Sequence, residues 1–185
     1  MTDLLDPSDG TLRGWRMAGP GGFRRLEDGS VESYGGSGLF WYAATAFDDF
    51  RLWVEWRILH ETDNSGVFIR IPPLTNSPLP AIERGYEVQI DERGINPAAK
   101  RQDDPLHLTG AVYKLAPALA RASRGIGEWN RFEILAKDFD ISVRLNDVEV
   151  SKLTHALRRR GGHIALQNHH DGSAVQFRRL EIVEL

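Results

Sequence analysis

Residues 50–59, FRLWVEWRIL, alternate without a slip: Phe50, Leu52, Val54, Trp56 and Ile58 fall on one side, Arg51, Trp53, Glu55 and Arg57 on the other. An extended chain sends successive side chains to opposite faces, so this pattern asks for a strand with one apolar and one polar face. The same period of two runs through residues 66–71 (GVFIRI), 86–91 (YEVQID), 110–115 (GAVYKL), 131–139, 141–150, 163–169 and 175–185, with weaker candidates in SVESY and GLFWYA. No segment holds a 3.6-residue period for long, and APALARASRG (116–125) has room for two helical turns at most. About ten strands and hardly any helix predict an all-β fold, an antiparallel sandwich or barrel.

Turn chemistry supports that reading. Asn146-Asp147, between ISVRL and VEV, is a tight hairpin turn in the making, because both residue types tolerate the left-handed backbone such turns need. Residues 137–140 separate two further strands in the same way. The 185 residues are expected to form one β-sandwich domain over 1–185, large enough to bury a real core. With no cysteine, disulfides, thiolate metal sites and cysteine nucleophiles are excluded, and stability must come from packing.

Composition also narrows the partners. Net charge is -3 and the 23 basic residues are scattered, apart from Arg158 to Arg160, which reads as a solvated turn; no nucleic-acid partner is expected. No apolar run approaches the roughly 20 residues of a membrane span, and the opening MTDLLDPSDG lacks the basic and apolar segments of a signal peptide. The sequence as written therefore predicts a cytoplasmic protein with no membrane partner, or an exported one if a signal has been trimmed away. It leaves the oligomeric state open.

The loops are uneven. Residues 72–85 and 92–110 are long for sandwich connections, and both flank YEVQID, where Tyr86, Val88 and Ile90 share one face and Glu87, Gln89 and Asp91 the other. A polar strand face between two long loops makes a floor for a cleft. Asn64, Arg70, Tyr113, Gln167 and His169 occupy positions on neighbouring segments that can face the same side, with Ile164 and Leu166 turned to the core. Carboxyl groups in such a cleft suggest acid–base work on a sugar, but residues four apart on one strand lie about 13 Å apart at their backbones, wider than the paired carboxyls of ordinary glycosidases. Alternation alone would equally give a solvated sheet face. Arg70 can clamp a polar substrate or pair with Glu55 or Glu87; Trp53 is the better platform for a sugar ring, since Trp56 falls on the apolar side of its strand. His169 and His170, adjacent on a strand, would point opposite ways and cannot readily share one ion, although a loop conformation would remove that objection; no cofactor is predicted, and a metal ion is left as an alternative that the sequence does not support. Serine elbows and phosphate loops are absent.

Read in order, DGTLRGW, FDDFRLWVEWRI, DNSGVFIR, GYEVQI, TGAVYKL, GEWNRFEILAKDFDISVRLNDVEV and HIALQNHHDGSAVQFRRLEIVEL resemble the 3-keto-disaccharide hydrolase domain family, from about Asp9 to Leu185. The resemblance implies a concanavalin A-like jelly-roll sandwich of two antiparallel sheets with a sugar site on the concave one. It implies cleavage of small glycosides or oligosaccharides whose sugar is oxidised at C3: the ketone acidifies the C2 proton, a base removes it, the aglycone leaves from C1, and water adds. By matching motifs, Glu87 is the leading base, with Asp91 and His169 as further catalytic candidates. Asn64, Arg70, Gln89, Tyr113, Gln167 and Trp53 are substrate-binding candidates. Two departures stand out. NDVEV replaces the usual Asn-Gly hairpin, and QNHHDG replaces a shorter Gln-Asp-His-Gly turn, so the matching ring is either His169 or His170. Because lectins share the fold, the alternative is a non-catalytic carbohydrate-binding module.

Overall fold

The computed structural model describes residues 1–6, 8 and 10–185, so Asp9, which opens the first of the motifs above, lies outside the described residues. In chain order the strands are β1 (Thr2–Asp3), β2 (Trp15–Ala18), β3 (Gly22–Arg25), β4 (Val31–Tyr34), β5 (Gly38–Tyr42), β6 (Phe50–Arg57) and β7 (Ser65–Ile71). After the short helix α1 (Leu79–Arg84) come β8 (Tyr86–Ile90), β9 (Asn130–Lys137), β10 (Asp140–Leu145), β11 (Val148–Leu153), β12 (His163–Asn168) and β13 (Gln176–Glu184). They build two antiparallel sheets. The larger has the order β11-β10-β9-β6-β13-β4-β3, with β1 also paired to β13; the smaller has the order β2-β5-β12-β7-β8.

The alternation in the sequence is what holds the sheets together. Leu52, Val54 and Trp56 of β6 meet Val88 and Ile90 of β8 and Ile164 and Leu166 of β12 in one cluster, all fully buried. Each such side chain contributes about 1.5–3 kcal/mol relative to exposure. The hairpin at 146–147 forms as its residue types require, with φ 48° at Asn146 and 69° at Asp147. The smaller sheet is covered on its other face too. Leu39, Trp41, Phe68, Ile71 and Ala165 form a second cluster there with Leu74 and Ala81, both from the 72–85 connection. That connection holds α1, whose Pro80 sits in the first turn where a missing N–H costs nothing.

Three expectations are corrected. GAVYKL (110–115) is no strand. It bonds along the free edge of β8, with the Gln89 N–H donating to the Ala111 carbonyl (3.0 Å) and the Tyr113 N–H to the Glu87 carbonyl (2.8 Å). Lys114 then turns through φ 60°, and the extended run ends.

Trp53 does face away from its own core, but β6 belongs to the larger sheet, opposite the cleft. Its cross-strand partners are Glu133 and Glu181, and the Arg51 guanidinium lies 6.0 Å from its ring. It is no sugar platform for the predicted site.

Arg70 also leaves the predicted cleft. His163 pairs with Ile71 and Ala165 with Phe68, so Ile69 and Arg70 stand against a single β12 residue. At this bulge Arg70 takes φ 51°, and its side chain leaves the strand's alternation. The fully buried guanidinium donates to the carbonyls of Asp48 (3.2 and 3.0 Å) and Asp138 (2.9 Å) and pairs with the Asp49 carboxylate (3.0 Å). It ties the β5–β6 loop to the β9–β10 turn. Arg70→Met is therefore expected to lower the unfolding free energy by roughly 3–5 kcal/mol, read by chemical denaturation, because the Asp48 and Asp138 carbonyls lose a charged donor and the Asp49 carboxylate keeps only the Asp138 N–H and Arg160. A loss below about 1 kcal/mol would contradict this structural role.

Candidate functional site

Glu87 and Gln89 stand on the outward face of β8, two residues apart, so roughly 7 Å separates their backbones. Next to β8 runs β7, where Gly66 pairs with Gln89 and Val67 with Leu166 of β12. Gly66 thus lies between Gln89 and Gln167 with no side chain of its own. A Cβ added there would run into the Glu87 carboxyl, so this glycine is what lets the carboxyl lie over β7. Asn64, just before β7, is anchored by its backbone: its N–H donates to Ser173 Oγ and its carbonyl accepts from the same hydroxyl, both at 2.9 Å.

These residues floor a cavity of about 350 Å³ whose walls include Arg93, Tyr113, Lys114, His169 and His170, with Ile82, Ile95 and Pro97 at its mouth. Among the lining residues Glu87 is the single acid. Asn64 Oδ1, Gln89 Oε1 and Gln167 Oε1 are buried and have no hydrogen-bond partner among the described residues. Buried acceptors left unmade cost about 1–3 kcal/mol each, so three converging on one cavity mark a place built for hydroxyl donors. A larger depression, about 480 Å³, lies on the outer face of the other sheet beside Leu135, Ser142 and Lys152, but none of its lining residues has such an orphaned group.

Burial pushes the Glu87 carboxyl from its ordinary 4.5 up to about 8; the Lys114 ammonium and the Gln167 amide favour the ionised form and offset only part of this. Burial, together with the negative charges of Glu87, Asp91 and Asp104, raises the Tyr113 phenol, keeping it a neutral donor. The Lys114 Nζ sits 5.0 Å from the Tyr113 ring centre. At the mouth His169 and His170 join through their Nδ1 atoms at 2.9 Å, and the protein packed against His169, together with its neighbour, lowers that imidazole's pKa.

Of the predicted residues, Asn64, Glu87, Gln89, Tyr113, Gln167 and His169 line the one cavity. Gln167 faces the same side as Glu87, as the alternation requires. Asp91 does not line it. β8 ends at Ile90, and the fully buried Asp91 carboxylate accepts the backbone N–H groups of Arg93 (3.1 Å) and Ile95 (3.0 Å), closing the loop. Its lone pairs are committed to the backbone, so it is removed from the catalytic candidates. Both His169 and His170 reach the cavity, since the chain has left β12 and strand alternation no longer separates them. Sequence reasoning missed Lys114, Arg93 and Gly66. A glycine inside a clean strand pattern was the available signal for Gly66; the two cations sit on loops, where no periodicity places them.

A two-sheet sandwich with a polar, sugar-sized cavity on one sheet defines the class of galectin-like and concanavalin-like proteins. Among solved structures, two proposed glycosyl hydrolases from Parabacteroides distasonis ATCC 8503 share the fold. One has a TM-score of 0.80 at 19% identity, covering 100% of this chain and 98% of that one; the other has 0.76 at 21%, covering 94% and 90%. A galactose-complexed lectin, UEA-II, matches with a TM-score of 0.63 at 10% identity over 95% of both chains. The chain belongs to the family described as the 3-keto-alpha-glucoside-1,2-lyase-like domain, whose model matches residues 1–183. A curated relative, the 3-keto-disaccharide hydrolase of Bacteroides thetaiotaomicron, is 26% identical over 159 residues, 76% of this chain and 54% of that protein. The chain thus spans about half the length of that relative.

The Glu87 shift has a sign that can be tested. Its folded pKa lies above the unfolded one, so its contribution to stability is intact below about pH 4.5 and is lost as pH rises to about 8. Glu87→Gln cannot ionise. It is expected to unfold like the parent near pH 4 and at progressively higher temperature than the parent toward pH 8, a gain on the order of a few kcal/mol. A constant offset across pH in thermal melts would contradict the raised pKa.

Proposed function

We propose that the cavity is the active site of a carbohydrate-cleaving enzyme acting on glycosides of C3-oxidised sugars, by elimination followed by hydration. The observation that carries this reading is the single buried carboxyl, raised to about 8, in a cavity with no second acid among its lining residues. Ordinary glycosidases need two carboxyl groups about 5–9.5 Å apart. Removal of a proton beside a ketone needs one base, and a carboxylate whose conjugate acid has a pKa near 8 is a far stronger base than a solvated one.

In the proposed sequence, Glu87 takes the C2 proton and the electron pair moves onto the C3 oxygen, where the Lys114 and Arg93 charges favour it. The pair then returns to form the C1–C2 double bond as the C1–O bond breaks, and the leaving oxygen takes a proton from His169 or Tyr113. Water adds to C1, its spare proton returning to the His169 or Tyr113 group that gave one up, and Glu87 gives its proton back to C2. Asn64, Gln89 and Gln167 accept hydrogen bonds from ring hydroxyls. Family membership and the named relative support the carbohydrate-active part of this reading; the elimination rests on the chemistry of the cavity.

The assay compares a C3-oxidised disaccharide with its unoxidised parent, watching for released sugar. Glu87→Gln is expected to spare binding and to reduce turnover by roughly 10²- to 10⁴-fold. Parent kcat/KM should rise with pH as Glu87 ionises toward about 8; above that it levels off with Tyr113 as the acid and falls with His169, whose imidazolium has lost its proton. Gln89→Ala should chiefly weaken binding, since an amide orients a hydroxyl without taking its proton. Turnover by Glu87→Gln within a few-fold of the parent would remove Glu87 from the mechanism, and binding without turnover in the parent would favour a lectin-like module.

The proposal enlists no cofactor. Exhaustive dialysis against a chelator is therefore expected to leave turnover of the C3-oxidised disaccharide unchanged, and loss restored by a divalent cation would require a metal in the scheme.

A further inference from the structure

The cavity changes character from floor to mouth. Asn64, Glu87 and Gln89 on the floor are buried and polar, whereas the lining also includes Ile82, 49% exposed, with Ile95 and Pro97. Ile82 belongs to α1 in the 72–85 connection; Ile95 and Pro97 belong to the 92–110 loop. Each of the two long loops that flank β8 thus brings aliphatic surface to the same opening. These groups are not needed to close the core: Ile82 belongs to neither cluster that buries the smaller sheet, and neither does Ile95. Oligosaccharide subsites are generally furnished with polar groups or aromatic platforms; this rim adds aliphatic groups from both loops beside the His169–His170 pair. A cavity of about 350 Å³ is at the small end for ligand sites, with room for one sugar ring and the first atoms beyond it.

We infer that the mouth is an aglycone subsite selective for apolar groups, alkyl or aryl, over a second sugar. The inference deepens the proposed function, because the floor then holds the oxidised ring while its C1 substituent lies between Ile82 and Ile95. The chemistry of the walls agrees with it. Glu87 is committed as the base, and the groups left to protonate the leaving oxygen are a phenol and an imidazole whose pKa is lowered. Such a site favours aglycones that leave without a strong acid, and aryl groups do.

The test separates binding from leaving-group reactivity. Methyl and hexyl glucosides have leaving groups of similar basicity, so any preference between them reports contact with the rim. Affinities of the unoxidised methyl and hexyl glucosides are measured by calorimetry for the parent and for Ile82→Ser, along with that of an unoxidised disaccharide. kcat/KM is then measured on the C3-oxidised forms. The parent is expected to favour hexyl over methyl by on the order of tenfold, and Ile82→Ser to collapse that ratio to within about twofold. Equal parent affinities for the two alkyl glucosides, a disaccharide bound more tightly than hexyl glucoside, or an unchanged ratio in Ile82→Ser would each overturn the inference. Absence of turnover on every C3-oxidised substrate would sink the proposed reaction but not the subsite, which the calorimetric ratio decides by itself.

Discussion

At β7 and β8 the five-stranded sheet is buried on both faces, and the site depends on that. All seven residues of β7 and all five of β8 are buried, because the inner face packs on the larger sheet and the outer face lies under α1, the 72–85 connection and the 92–116 loops. An antiparallel sheet usually keeps one face in water, where polar residues cost nothing. Here the outward polar residues of β8 have lost that water. Each must find a protein partner or wait for a ligand.

The chain divides its buried polar groups along that line. Arg70 and Asp91 are satisfied by backbone and by each loop's own needs. Asp104 is the same case: it takes hydrogen bonds from Asn96, the Leu106 N–H and Arg101, and these hold its carboxyl well below the usual range. Glu87, where loss of water is the largest influence and only the Gln167 amide and the Lys114 charge favour the ionised form, moves the other way. Two carboxyls in one protein are shifted in opposite directions because donors dominate at Asp104 and desolvation dominates at Glu87. Of the buried groups without a partner among the described residues, the amide oxygens of Asn64, Gln89 and Gln167 gather with Glu87 at the cavity, while others, such as those of His107 and Asn168, lie outside it.

The scaffold is shared by proteins that only bind sugars, so the architecture cannot assign the chemistry. In the proposed function the base is what would separate the readings. A lectin gains from amides and aromatic platforms and has no use for a carboxyl that resists ionisation. An enzyme drawing a proton from carbon needs that group, and the absence of a neighbouring side chain at Gly66 gives it the space to stand there.

The two-sheet core was legible in the sequence because strand alternation is a local rule: Leu52, Val54, Trp56, Val88, Ile90, Ile164 and Leu166 all face the core as their parity requires. Glu87, Gln89 and Gln167 were legible for the same reason. Where parity breaks, the sequence misleads. The bulge at Arg70 turns a presumed substrate clamp into a loop anchor, and the end of β8 turns Asp91 into a loop closure. Trp53 has the right parity in the wrong sheet, since pairing partners far apart in sequence decide which sheet a strand joins. Lys114 and Arg93 reach the cavity from loops, whose paths follow from long-range packing and left no period to read. The sequence by itself determined which residues face inward along each strand; only the tertiary structure decided which outward faces are covered, and so which polar groups lost their water.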